Sequence, residues 1–202
     1  MDKQEELNKL REEIIADTTL PLREGATNLV FGKGNPQAKI LFVGEAAGRQ
    51  EDLQGLPFVG AAGKNLDKLL SAVGLSLDDV YIANILKYRP PENRNPTSEE
   101  IRTHTPYLIK QIKIIKPKVI CSLGNYATKF FLAGCNPDGM DKQLGITQVH
   151  GKVKIIQIDD MTITLIPLFH PAAIIYNQNL IIEWEKDLKI VKKEVENHKS
   201  TS

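Results

Sequence analysis

The sequence predicts a three-layer αβα fold with a central, mostly parallel sheet of four strands. Short apolar runs are each followed by a segment whose apolar residues have helical spacing, and this β-then-α unit occurs three times in succession. The hydrophobic content of 42% is enough to fill a core in a chain of 202 residues. Internal repeats and low-complexity tracts are absent from the sequence, so we expect one α/β domain over residues 1–202.

An amphipathic helix is expected near each end of this domain. Residues 5–16 carry leucine and isoleucine at helical spacing on a charged background. Residues 180–196 show the same pattern and contain the single tryptophan, Trp184. Residues 17–34 mix proline, glycine and threonine, which is typical of a surface loop.

The three β-then-α units and a final β-rich segment lie between these helices. The predicted strands cover residues 40–43, 80–84, 119–123, 153–158 and 162–167. The predicted helices that follow the first three strands cover residues 64–73, 98–115 and 125–132. Thr97 or Ser98, followed by Glu100, marks the start of the second of these helices.

Composition narrows the class of protein. The net charge is only +1, so the protein as a whole is not cationic. A nucleic-acid partner would have to be bound by a local basic patch. Cys121 and Cys135 lack a C-x-x-C spacing, which argues against a disulfide framework or a cysteine metal site. The polar N-terminus does not resemble a signal peptide, and no apolar run is long enough to span a membrane. We therefore expect a cytoplasmic protein, associated with the nucleoid if the source is a prokaryote.

Polar side chains follow three of the predicted strands. Glu45 follows the first, Asn84 ends the second and His170 follows the last. The carboxyl ends of parallel strands meet at one edge of a sheet, where ligands bind in open α/β folds. Each residue also has a structural interpretation, as a cap, a turn residue or a hydrogen-bonded core histidine. From spacing alone, a shared functional site and three separate structural roles are about equally well supported.

Two loops flank this edge. The first is residues 44–63 (GEAAGRQEDLQGLPFVGAAG), whose glycines could let the backbone bind a phosphate group. The nucleotide-binding motifs G-x-G-x-x-G and G-x-x-x-x-G-K-[ST] are both absent, however. A nucleotide cofactor is therefore weakly supported. The second loop carries Lys87, Arg89 and Arg94 among prolines. It fits a stiff solvated turn and a contact to a phosphate backbone equally well.

The chain resembles a family 4 uracil-DNA glycosylase. The segments that carry the resemblance are FVGEAAGRQEDLQGLPFVGAAGKNLDKLL, VYIANILKYRPPENRNPTSEEI, PYLIKQIKIIKPKVICSLGNYA and the HPA that begins at His170. They occur in the family's order and cover most of residues 18–187. The resemblance implies a base-excision repair enzyme that flips deoxyuridine out of DNA and cleaves the bond between base and sugar.

The resemblance also implies roles for the residues of the uracil pocket. Phe58 stacks on the flipped base, and Asn84 pairs with the O4 acceptor and N3 donor of uracil. His170 donates a hydrogen bond to uracil O2, where negative charge develops. Glu45 orients the attacking water, and the backbone of residues 44–46, with Gly44 and Ala46, contacts the base.

Two acids in the glycine-rich loop receive different predictions. Glu51 is predicted to be a second catalytic acid. Its role could be to position water, to screen the C5 face of the base or to hold the loop, and the sequence leaves these open. Asp52 is predicted to be structural.

Family members normally bind a four-iron, four-sulfur cluster through four cysteines. The aligned positions in this chain are Asp17, Leu20, Tyr88 and His104. Leucine and tyrosine cannot replace the thiolate ligands of such a cluster, so we predict no cofactor and no metal. Leu20 and Tyr88 are expected in the apolar core, and Asp17 and His104 are considered as a polar pair.

The loop after His170 is the expected DNA minor-groove probe. Ile174, Ile175 and Tyr176 are its candidate wedges, and Tyr176 stands where the family usually has arginine. In the glycine-rich loop, Ala47 stands where the family normally has proline.

The preferred hypothesis is a monomeric, monofunctional, metal-independent glycosylase that acts on uracil in single- or double-stranded DNA. A first alternative is a degenerate relative that binds DNA or abasic sites without chemistry. A second is a glycosylase that acts on hypoxanthine or xanthine.

Overall fold

The structure is a computed structural model that describes the backbone of residues 2–200 and the side chains of residues 2–198. Its helices are α1 (Lys3–Ala16), α2 (Arg49–Gln54), α3 (Ala61–Ala72), α4 (Ser98–Ile115), α5 (Gly124–Leu132), α6 (Ile146–Val149), α7 (Ala173–Tyr176) and α8 (Leu180–Ser200). Its strands are β1 (Lys33–Gly34), β2 (Ile40–Gly44), β3 (Val80–Asn84), β4 (Val119–Leu123), β5 (Lys154–Ile158) and β6 (Met161–Leu168). Within the described residues, no helix is long and apolar enough to cross a membrane.

The strands form one sheet in the order β1-β3-β2-β4-β6-β5. The four central strands are parallel, as predicted, but the sheet has six strands instead of four. The edge strands β1 and β5 pair antiparallel with β3 and β6. The strand count was wrong at the two edges of the sheet. β1 has only two residues, too few to show an alternating pattern, and β5, which was predicted as a β-rich segment, joins the sheet as an edge strand through a hairpin with β6.

Helices cover both faces of the sheet. The core on one face joins β2, β3 and β4 to apolar residues of α3 and α8, including the fully buried Leu66 and the almost fully buried Trp184. The core on the other face joins the sheet to α1, α4 and α5. Burying one leucine or isoleucine side chain contributes about 1.5–3 kcal/mol, so these two cores stabilise the three layers. The predicted αβα class is confirmed.

The helix that follows β3 starts where the sequence predicts. Thr97 is the N-cap of α4: its side chain accepts from the Glu100 backbone N–H at 3.2 Å, and the Glu100 carboxylate accepts from the Thr97 N–H at 2.8 Å. This capping box sets the end of the proline-rich loop against the carboxyl edge of the sheet.

Candidate active site

A cavity of about 500 Å³ opens at the carboxyl edge of the parallel strands. Its lining comes from the loop after β2, the end of β3, the proline-rich loop and the segment after β6. The lining residues are Glu45, Ala46, Ala47, Gly48, Glu51, Phe58, Ala62, Asn84, Pro90, Asn93, Arg94, His170, Ala172 and Tyr176. The structure thus brings together the three residues that the sequence placed at strand ends.

Asn84 lies at the base of this cavity, paired in register with Gly44 of the neighbouring strand. Its side-chain oxygen is buried and has no hydrogen-bond partner among the described residues. A Cβ atom on Gly44 would lie 2.4 Å from that oxygen and 2.7 Å from the Phe58 ring. Gly44 is therefore behind the amide and the ring, not on the cavity surface, and its lack of a side chain lets both approach.

Phe58 has an unusual backbone that directs its ring into the cavity. Its φ of 52° lies in the left-handed region, which is costly for an aromatic residue. The Phe58 carbonyl accepts a hydrogen bond from Lys33 Nζ at 3.0 Å. A Cβ atom on Gly63 would lie 1.8 Å from the same carbonyl oxygen. The conformation of Phe58 thus depends on Gly63, the last residue of the glycine-rich loop, and on Lys33, which the sequence did not indicate as part of the site.

We predict that Gly63→Ala disrupts this part of the site. The added methyl group cannot fit beside the Phe58 carbonyl without a backbone shift, so the free energy of unfolding should fall by about 3 kcal/mol. Chemical denaturation measures the loss. Gly25→Ala is the control for a glycine-to-alanine change, since the nearest neighbouring atom to an added Cβ there is 3.9 Å away. An unfolding free energy for Gly63→Ala equal to that of the wild type would contradict the described packing.

Glu51 lines the cavity and also holds the loop that carries Phe58. Its Oε1 atom accepts the backbone N–H groups of Val59 at 3.0 Å and Gly60 at 2.7 Å. Of the three roles left open by the sequence, these contacts favour holding the loop. Asp52 accepts from the backbone N–H of Thr27 and Asn28, so its predicted structural role is confirmed.

His170 is placed to donate one hydrogen bond into the cavity. Its Nδ1 atom accepts the backbone N–H of Ala172 at 3.1 Å, so the neutral ring carries its proton on Nε2. Burial lowers the pKa of His170 to about 4, which keeps the ring neutral near pH 7. The ring centroid lies 5.7 Å from that of Phe58, so a base stacked on Phe58 lies close to the imidazole.

Glu45 contributes a partly buried carboxyl group to the cavity. It follows β2 directly and is half-buried. Burial raises the pKa of its carboxyl group to about 7. A carboxyl group with that pKa exchanges protons readily near neutral pH, which suits a residue that orients or activates water.

Two predicted DNA contacts are wrong. Lys87 is 0% exposed and its amino group bonds inside the protein, so it cannot reach a phosphate. Ile174 is 6% exposed and packs in the core with Trp184, which excludes it as a wedge. Ile175 and Tyr176 remain candidates, with exposures of 52% and 89%, and of the two only Tyr176 is in the cavity lining.

The two arginines of the proline-rich loop lie at the protein surface. Arg94 lines the cavity and forms two hydrogen bonds with the Glu100 carboxylate, which holds the guanidinium at the cavity mouth. Arg89 Nε donates to Asn93 Oδ1 at 2.7 Å. Both positions are compatible with the predicted contacts to DNA.

The comparison with known proteins decides the family. A model of the Uracil DNA glycosylase superfamily matches residues 31–192. The chain belongs to this superfamily. Type-4 uracil-DNA glycosylases from Sulfurisphaera tokodaii and Archaeoglobus fulgidus are 42% and 43% identical to it; both matches cover 92% of the chain, and 83% and 91% of the relatives. The type-4 enzyme of Thermotoga maritima is 39% identical, over 95% of this chain and 98% of that enzyme. The resemblance inferred from sequence motifs and the predicted uracil-DNA glycosylase function are confirmed.

The four positions that the sequence resemblance aligned with cluster cysteines hold Asp17, Leu20, Tyr88 and His104 in this uracil-DNA glycosylase superfamily member. Leu20 and Tyr88 are buried in the apolar core, as expected. Asp17 and His104 do not pair with each other. Asp17 accepts from the Tyr107 hydroxyl at 2.6 Å, and His104 lies between the Lys87 backbone N–H and the Pro21 carbonyl at 2.9 and 3.0 Å.

These four side chains do not fit a cluster that requires thiolate ligands. In the described part of the chain, moreover, no three histidines, cysteines or acids form a group that could hold a metal ion. The imidazole of His104 joins the N-terminal loop to the segment that follows Asn84. Leu20 from the first segment and Tyr88 from the second belong to the same apolar core.

Proposed function

We propose that this protein flips uracil out of DNA and hydrolyses its N-glycosidic bond, leaving an abasic site. The observation that carries the proposal is the convergence of an amide, an aromatic ring, a neutral imidazole and a carboxyl group on one cavity. These groups belong to Asn84, Phe58, His170 and Glu45. The type-4 relatives carry the name uracil-DNA glycosylase, which supports the same activity.

Base recognition follows from the two groups at the base of the cavity. The Phe58 ring offers a flat apolar surface on which a flipped pyrimidine stacks. Asn84 Oδ1, which has no partner among the described residues, can accept from uracil N3–H, and the amide nitrogen can donate to O4. Cytosine presents the opposite pattern at these atoms, so its binding leaves buried polar groups unpaired.

Bond cleavage follows from the two titratable groups. As the glycosidic bond breaks, the bonding electrons move to the base, and Nε2–H of His170 stabilises the negative charge on O2. The ionised Glu45 carboxylate orients a water molecule toward the sugar and favours its positive charge. Among the described residues no lysine lines the cavity, which is consistent with a monofunctional enzyme that forms no Schiff base.

Release of uracil from a synthetic oligonucleotide tests the proposal. We expect the wild-type protein to leave an alkali-sensitive abasic site. Asn84→Ala should lower kcat/KM by about tenfold to a hundredfold, because hydrogen bonds to the base are lost. Asn136→Ala, at an exposed position that does not line the cavity, is the control.

Other outcomes of this assay favour the competing functions. DNA binding without product would indicate a non-catalytic binder. Release of hypoxanthine or xanthine in preference to uracil would indicate a shifted base range.

We assign the wedge function to Tyr176. Its ring is 89% exposed at the cavity mouth, on the segment after His170. An aromatic side chain there can fill the gap left by a flipped nucleotide. Tyr176→Ala should lower kcat/KM on duplex DNA by about tenfold and change single-strand activity much less.

Ile182→Ala, on an exposed face of α8, is the matched apolar control for this prediction. Equal losses on single-stranded and duplex substrates would show that Tyr176 does not act on the base stack.

We further propose a monomer that needs no iron-sulfur cluster. Support for the second statement comes from the replacement of the cluster cysteines by Asp17, Leu20, Tyr88 and His104. Iron analysis of the purified active protein, together with its mass in solution, tests both statements. Stoichiometric iron in the active fraction would refute the second.

A further inference from the structure

Lys87 has an environment that its predicted role does not explain. It follows Asn84 by three residues, is 0% exposed, and forms no ion pair with any carboxylate among the described residues. Burying an amino group without a carboxylate is costly, so a fully buried lysine requires good hydrogen-bond acceptors.

The Lys87 side chain turns back toward the end of β3. Its Nζ donates to the Asn84 backbone carbonyl at 2.8 Å and to Gln111 Oε1 at 2.5 Å. Gln111 is itself fixed, because its Nε2 donates to the Phe31 carbonyl at 3.0 Å. Burial lowers the pKa of Lys87 to about 7, and both protonation states have enough N–H donors for these two bonds.

The backbone around Lys87 is held equally firmly. Its N–H donates to His104 Nδ1 at 2.9 Å, and its carbonyl accepts from the Val30 N–H at 2.9 Å. The two intervening residues bond to the loop that carries Glu45: Ile85 N–H donates to the Gly44 carbonyl and Leu86 N–H to the Glu45 carbonyl. The peptide of Asn84 is therefore fixed from one side by β2 and from the other by Lys87.

We propose that Lys87 is a positioning residue for base recognition, which fixes the Asn84 peptide so that the Asn84 amide meets the edge of uracil. The inference rests on the proposed function, in which Asn84 reads the base. Without the amino group, the Asn84 carbonyl and Gln111 Oε1 lose their buried donor. The amide then samples orientations that do not match the base, which reduces the reaction rate even when the protein is folded.

A double-mutant cycle tests the inference. Lys87→Met keeps the length of the side chain and removes its donors. Single-turnover uracil release is measured for the wild type, Lys87→Met, Asn84→Ala and the double variant. We expect Lys87→Met to reduce the rate by about tenfold to a hundredfold. We expect the double variant to be no slower than Asn84→Ala, because Lys87 acts through Asn84. Multiplied losses, or a wild-type rate for Lys87→Met, would overturn the proposal.

Hydrogen exchange gives a readout that does not require activity. In Lys87→Met, the amides of Ile85 and Leu86 should exchange about tenfold faster, while amides in the centre of β4 keep their wild-type rates. Unchanged exchange at Ile85 and Leu86 would overturn the proposal. A wild-type protein that releases no uracil but shows the faster exchange in the variant would refute the proposed function and leave the placement of Asn84 by Lys87 standing.

Two further variants separate positioning from a general loss of buried hydrogen bonds. Thr128→Val removes one partner of the buried Ser122–Thr128 hydrogen bond, neither residue of which lines the cavity, and should release uracil at the wild-type rate. Gln111→Met removes one acceptor of the Lys87 amino group and should reduce the rate in the same direction as Lys87→Met. If Lys87→Met does not fold, Gln111→Met combined with Asn84→Ala completes the same cycle.

Discussion

Replacing His170 with alanine should lower kcat for uracil release by about 10²–10³-fold. The hydrogen bond between Ala172 N–H and Nδ1 leaves the proton of the neutral ring on Nε2, which makes that atom the donor to the base. A neutral donor is sufficient because the charge on O2 grows as the bond breaks, so the interaction is stronger in the transition state than in the ground state. Alanine removes that difference.

His170→Asn is the conservative partner of this variant. Its amide retains an N–H donor of shorter reach, so we expect partial activity between those of the wild type and alanine. KM should change less than kcat in both variants, because stacking on Phe58 and pairing with Asn84 remain. Thermal melting checks that both variants are folded. Wild-type kcat for His170→Ala would remove this residue from the mechanism.

Three site residues could be placed from the sequence alone, because each stands at the end of an apolar run. Apolar runs identify the parallel strands, and the carboxyl ends of parallel strands necessarily share an edge. Glu45, Asn84 and His170 each stand at or just after such an end, so their meeting in one cavity was predictable. Phe58 and Glu51 entered through the family resemblance, since local pattern alone does not place a residue within a glycine-rich loop.

Residues whose role depends on distant contacts could not be predicted. Lys87 belongs to a polar, proline-rich loop by sequence, so local composition indicates a solvated side chain. Its burial depends on Gln111, 24 residues away. Lys33 lies on a strand of two residues and bonds to the Phe58 carbonyl, 25 residues away. Ile174 gives no sequence signal that separates it from the exposed Ile175 beside it.

The pH dependence of the enzyme should depend on Glu45. Burial raises the pKa of this carboxyl group to about 7, and the ionised form is the one that orients water. We therefore expect kcat/KM to fall as the pH decreases through about 7, with activity retained above it. His170 stays neutral over this range because its pKa is lowered to about 4. The pKa of Lys87 is also lowered to about 7, but both of its protonation states can donate to the Asn84 carbonyl and to Gln111, so we expect the acid limb of the wild-type profile to report Glu45.

Glu45→Gln should lower kcat/KM by about 10²–10⁴-fold at pH 8 and abolish the acid limb near pH 7. A raised pKa means that the folded state binds this proton more tightly than the unfolded state. The free energy of unfolding therefore falls as the pH rises from 4.5 to about 7, and the full cost of ionising the buried carboxyl group applies above pH 7. Glutamine removes that cost, and the variant should melt no lower than the wild type at pH 8. A low rate in a protein of undiminished stability would then be a chemical effect. An acid limb that persists in Glu45→Gln would assign the titration to another group.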